Sequence, residues 1–125
     1  MPRFEILASL PRLHTTPLAR IGVEEGRVVV EVDDEQERRV RFVCQPYQAV
    51  RVVTADCFDV PDGLTIRPGA VVEVCGSKWL AELTDALKRH DHGATFMEKA
   101  RHFLFPLQDD FLEVVAWDIR CEPAA

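Results

Sequence analysis

Hydrophobic and polar positions alternate with period two over much of the chain, and that alternation predicts strands. Phe4 to Ala8 is compatible with a short first strand. Pro11 and Pro17 then frame a loop, because neither can donate to a sheet ladder. From Arg27 the alternation is explicit: Val28, Val30 and Val32 share one face, with Val29, Glu31 and Asp33 on the other. The polar run DDEQE predicts a turn. Beyond it Arg39, Arg41 and Val43 alternate with Val40, Phe42 and Cys44, completing a hairpin with one wet face. QPY interrupts this pattern, and QAVRVVTADCF resumes it with β-branched residues. PDG at 61–63 and RPG at 67–69 are turn signals, since proline presets φ and glycine accepts positive φ. The apolar strand AVVEVC follows.

After Gly76 the period becomes helical. Ser77 suits an N-cap, and Trp79, Leu80, Leu83, Ala86 and Leu87 form one apolar stripe, predicting a helix over about 77–91. Continued one step, the stripe places His90 against the core and Asp91 toward solvent. Thr95-x-x-Glu98 matches a capping box and predicts one further helical turn. RHFLFPL and FLEVVAWDI flank QDD as a closing hairpin. On its second strand Leu112, Val114 and Ala116 face one way, and Phe111, Glu113, Val115 and Trp117 the other. Apolar residues on both faces predict a central strand, whereas Pro106 assigns the first strand an edge or a bulge. The predicted fold is a single α+β domain over residues 1–125. It comprises a mainly antiparallel, curved or barrel-like sheet, one main helix and a C-terminal β-hairpin.

Composition narrows the function classes. The 125 residues are 47% hydrophobic and 29% charged, ordinary for a globular domain and unlike a disordered chain. The net charge is −6, and the one arginine cluster, Arg38, Arg39 and Arg41, directly follows Asp33, Asp34, Glu35 and Glu37. Without a basic stripe to displace counterions from phosphate, nucleic acid is not an expected partner. No run approaches the ~20 apolar residues of a membrane span, and MPRFEILASLPRLH lacks a signal-cleavage pattern, so the expectation is a soluble cytoplasmic protein. Cys44, Cys57, Cys75 and Cys121 contain no C-x-x-C pair, which predicts buried reduced thiols and no zinc knuckle.

The most conspicuous candidate chemistry is KRHDHG at 88–93, with His102 beyond it. His90, His92 and His102 are the possible metal ligands, and such a trio would leave an open coordination position. Against that, His90 and His92 diverge by ~200° if the helix persists, and every residue of the stretch suits a helix end. Lys88, Arg89 and His90 complement the negative terminus, and Gly93 suits a left-handed C′ position. His92 and His102 are the acid/base candidates if they meet across the loop, with Arg101 as a carboxylate or phosphate anchor. Cys57 is a poor nucleophile, because Asp56 and Asp59 disfavour its thiolate. No P-loop, G-x-G-x-x-G or G-x-S-x-G occurs, and no cofactor is expected.

VVEVCGSKWL and RHFLFPLQDDFLEVVAWDI together resemble a widespread group of small bacterial proteins. In that group a strand ending E-V-x-x-S-x-W-[LI] opens a helix, and a hairpin of the type H-[FY]-x-[FL] … [DE]-x-x-[ED]-V-[LIV]-A closes the chain. The likeness covers about residues 71–119. It implies the architecture and supplies no reaction; some similar domains accompany toxins as immunity proteins, which implies a protein partner. The functional expectation is thus a non-enzymatic protein-interaction domain, self-associating or immunity-type. The alternative is a small metal-assisted or acid/base enzyme using His92 and His102.

Overall fold

The computed structural model describes residues 3–59 and 69–124. The PDG turn, and the first two residues of RPG, lie outside them. The described chain forms strands β1 (Arg3–Ile6), β2 (Arg20–Glu24), β3 (Arg27–Asp33), β4 (Arg39–Thr54) and β5 (Val72–Cys75). Helix α1 (Lys78–His90) and strands β6 (Arg101–Leu107) and β7 (Asp110–Pro123) follow, with 3-10 turns at Ala55–Cys57 and Phe96–Lys99. All pairings in the sheet are antiparallel, in the order β1-β5-β6-β7-β4-β3-β2. The α+β class and the closing hairpin are therefore observed. The sheet is open, not barrel-like, because among the described residues β1 pairs only with β5 and β2 only with β3.

β7 is central as its two apolar faces require, lying between β6 and β4. One face of the sheet carries the main core: Val28, Val30 and Val32 of β3, Phe42 and Cys44 of β4, Phe103 and Phe105 of β6, and Leu112, Val114 and Ala116 of β7. Leu7, Leu10 and Leu13 pack against these residues from the segment that Pro11 and Pro17 interrupt. Gly69, at φ +83, lies so close to Leu13 that a Cβ there would collide with the Leu13 carbonyl oxygen, and Leu13 N–H bonds to the Gly69 carbonyl at 2.8 Å. The opposite face receives α1, whose Trp79, Leu80, Leu83 and Leu87 pack against Met97, Ala100 and Val115.

Several local expectations change. β2 has no burial alternation because all five of its residues are exposed, so periodicity could not reveal it. QPY does not end a strand: β4 runs through Pro46 and absorbs an irregularity between Tyr47 and Ala49. It stops at Thr54, short of Phe58. β6 is interior, although Pro106 lies beyond the last β5 pair, Val72–Leu104, where no ladder bond is required of it. The helix matches its expected span, but its C-terminus closes on Asp91, whose N–H bonds to the Leu87 carbonyl at 2.8 Å. Gly93 is not among the left-handed glycines; its N–H bonds to Asp91 Oδ1 at 3.2 Å instead. His90 is exposed, since the surface that receives the stripe ends at Leu87. Phe96–Lys99 does form a helical turn, but Thr95 makes no side-chain cap. Among the described residues no helix is long and apolar enough to cross a membrane.

Candidate functional site

The helix-bearing face gathers four polar or aromatic side chains from distant parts of the chain. β7 places Glu113 between β4 and β6, where it pairs directly with Arg51 and with Leu104. His102, two residues before Leu104 on the same face, is its diagonal neighbour, at a spacing long side chains can bridge. Gly76, at φ +71, turns the chain from β5 into α1. That turn sets Ser77, the N-cap, over His102.

The result is one hydrogen-bonded chain. Ser77 Oγ lies 2.7 Å from His102 Nδ1, and His102 Nε2 lies 2.8 Å from Glu113 Oε1. Arg51 Nε donates to Glu113 Oε2 at 2.6 Å and Arg51 Nη2 to Oε1 at 3.2 Å. Ser77 Oγ also accepts the Leu80 N–H at 3.0 Å, which satisfies one orphan donor of α1. The hydroxyl hydrogen remains available to donate to Nδ1. With Nδ1 accepting, Nε2–H donates to Glu113, and each side-chain polar atom of Ser77, His102 and Glu113 has a partner. Trp79 closes the side: its ring lies edge-on to His102 with centroids 5.2 Å apart, and the Arg51 guanidinium sits 4.0 Å from its centroid.

Burial is what makes this arrangement consequential. Ser77, His102 and Glu113 are 7%, 4% and 3% exposed. Burial works against ionisation of Glu113, but the hydrogen bonds from His102 and Arg51 and the charge of Arg51 outweigh it and hold the carboxyl below its ordinary range. A shallow cleft of about 200 Å³ opens above the chain, with Phe4, Phe58, Lys78 and Trp79 on its walls. Larger depressions lie elsewhere. One of about 580 Å³ adjoins Asp34, but that carboxylate already accepts the Gln36 and Arg38 N–H groups and the Arg38 side chain, as a turn would demand.

Of the catalytic and metal-ligand candidates named from sequence, only His102 is in this cluster. Its ring nitrogens engage Ser77 and Glu113 and leave none for His92, which is exposed beyond the helix end. His90, His92 and His102 do not assemble, and among the described residues no three histidine, cysteine or carboxylate side chains sit as a metal would require. Arg101 points to the other face of β6, where it bonds to Glu73 at 2.7 Å and reaches Asp118 at 3.5 Å. The hydrogen bond to Glu73 raises its pKa, and its charge is already answered. Cys44 is buried, and burial pushes its thiol up to about 12; Cys57 is exposed on the 3-10 turn, contrary to expectation.

Arg51 and Glu113 carried a signal that alternation alone does not interpret. Glu113 is the one charge within the apolar strand FLEVVAW, and a carboxylate buried there needs a cation and donors. Comparison with family models, curated proteins and solved structures finds no match for the chain.

Proposed function

We propose that this chain is a binding domain, not an enzyme, and that a protein partner docks on the cleft above the Ser77–His102–Glu113 chain. The observation that carries the reading is saturation: each polar atom of the buried chain has its partner within the protein, so the chain fixes shape. Ser77 Oγ, the one atom resembling a nucleophile, caps α1 and is buried. What a visitor meets are the exposed Arg51 and Lys78 and the half-buried Trp79 and Phe58, an aromatic and cationic set of the kind that anchors protein interfaces. An immunity-type role is consistent with such a surface.

A photo-crosslinking residue at Lys78, on the cleft wall, should capture one discrete protein in extract from the source cell. The same residue at Glu82, exposed on α1, should not, and Arg51→Ala should abolish the Lys78 adduct. No adduct at Lys78, or equal adducts at both positions, would overturn the proposal.

One observation favours a second reading, in which His102 is an acid/base group. A hydroxyl, an imidazole and a carboxylate in hydrogen-bonded series is an arrangement that activates nucleophiles. In this version the partners of His102 are Ser77 and Glu113, and His92 has no part. A fluorophosphonate probe discriminates: labelling of the wild type and not of Ser77→Ala would establish the enzymatic reading, whereas the binding reading expects no label.

A further inference from the structure

The open sheet has two edges, and they differ. β1 is four residues long, and its Arg3 and Glu5 already pair with each other at 2.9 Å. β2, RIGVE, is exposed throughout, regular, and free of the proline, lysine or bulge that commonly protects an edge from another strand. Its side chains sort by face. Ile21 and Val23 pair with Val30 and Val28 and continue the core face outward, yet remain 37% and 51% exposed. Arg20 and Glu24 stand on the opposite face, at the two ends of the strand, with Gly22 midway between them.

The β2–β3 turn settles which backbone groups point away from β3. Glu25 (φ 47) and Gly26 (φ 77) form a two-residue connection with both central residues left-handed, so Glu24–Arg27 is a hydrogen-bonded pair. Alternation along an antiparallel ladder then turns the N–H and C=O groups of Arg20, Gly22 and Glu24 toward β3, and those of Ile21 and Val23 toward the free edge.

We infer that this edge pairs with a second copy of itself, two β2 strands running antiparallel about a twofold axis through Gly22. In that register Ile21 exchanges both backbone hydrogen bonds with Val23 of the partner subunit, so the outward-pointing groups find partners. Arg20 lies opposite Glu24 of the partner subunit and Glu24 opposite Arg20 of the partner subunit, which is the charge complementarity an isologous contact requires. Glycine faces glycine on the axis, where no side chains can clash. Shifting the axis to Ile21 or to Val23 keeps the backbone pairing but sets both charges against uncharged residues, so the charges select the Gly22 register. Ile21 and Val23 of the two copies join the core faces of both sheets into one apolar strip. The contact is small beside a standard interface, so the dimer is weak and concentration-dependent. It uses a surface separate from the cleft, and stands or falls independently of it.

Sedimentation equilibrium over a wide concentration range, on the full chain, tests the inference. The wild type should dimerise reversibly, and Arg20→Glu, which sets like charges opposite each other twice per dimer, should raise the dissociation constant about tenfold. Arg20→Glu with Glu24→Arg should restore it. Val23→Pro removes an amide that points away from β3, so circular dichroism should show a folded protein while dimerisation is lost. A wild type that stays monomeric up to millimolar concentration would overturn the inference. So would a dimer that both Arg20→Glu and Val23→Pro leave unchanged, or an Arg20→Glu defect that the exchanged pair fails to rescue.

Discussion

At the end of α1, His90 and His92 flank Asp91 on an exposed turn; at the start of β6, His102 is buried with both ring nitrogens bonded. The first region concentrates ionisable residues within a few positions of sequence. The second draws its four members from residues 51, 77, 102 and 113, on three strands and a helix cap. Density along the chain produced a solvated terminus, and the polar cluster arose where no local density exists. Consecutive residues on a helix end spread around its axis, whereas neighbouring strands bring remote residues to one face.

The sharpest way to break this contrast is to remove each histidine. His102→Ala should destabilise the protein by about 2–4 kcal/mol, because it opens a cavity and leaves the Ser77 hydroxyl and the Glu113 carboxylate short of partners. His90→Ala and His92→Ala should each fall within about 0.5 kcal/mol of wild type, as exposed substitutions do. Urea denaturation of the three variants reads the difference directly, and comparable losses would mean the two regions are not distinct.

Glu113→Gln is expected to cost about 1–3 kcal/mol, since an amide presents a hydrogen to donors that need an acceptor. It should also alter the response to acid. Glu113 has a folded pKa below its unfolded value near 4.5, so the unfolded state binds more protons between the two values. Its contribution is present above 4.5 and lost as pH falls through the depressed folded value. The stability gap between wild type and Glu113→Gln should therefore narrow over that window; a gap constant with pH would show that the charge is not what matters.

A smaller effect is expected at Ser77. Ser77→Ala removes both the cap bond to Leu80 N–H and the bond to His102, at about 1–2 kcal/mol. Asp91→Ala at the other end of the helix removes only an exposed bond to Gly93 and should cost about 0.5 kcal/mol or less. Thermal melts of the pair compare the anchored end of α1 with its free end.

Much of the fold was legible because burial imposes periods. The valines of β3, the stripe of α1 and the two-faced β7 all announce themselves through side chains that must avoid water. β2 was silent for the complementary reason: with no buried face, Arg20 to Glu24 carry no alternation. The continuous β4 was obscured by Pro46, whose effect on a strand depends on whether its missing donor was needed. At the cluster, His102 could be named as a candidate and Ser77 as a cap. Their bond could not be anticipated, because it depends on the left-handed Gly76 and on the pairing of β5 with β6.

By itself, then, the sequence determined the local elements: where helix and strand periods hold, and where α1 begins. Tertiary structure alone decided that Glu113 is buried against Arg51, that His102 turns to Ser77 and Glu113 and not to His92, and that the sheet stays open at β2. The division has a physical cause. Periodicity and capping act between residues a few positions apart, whereas strand order and register are set by packing summed over the whole core. A side chain learns its partners only once that register is formed.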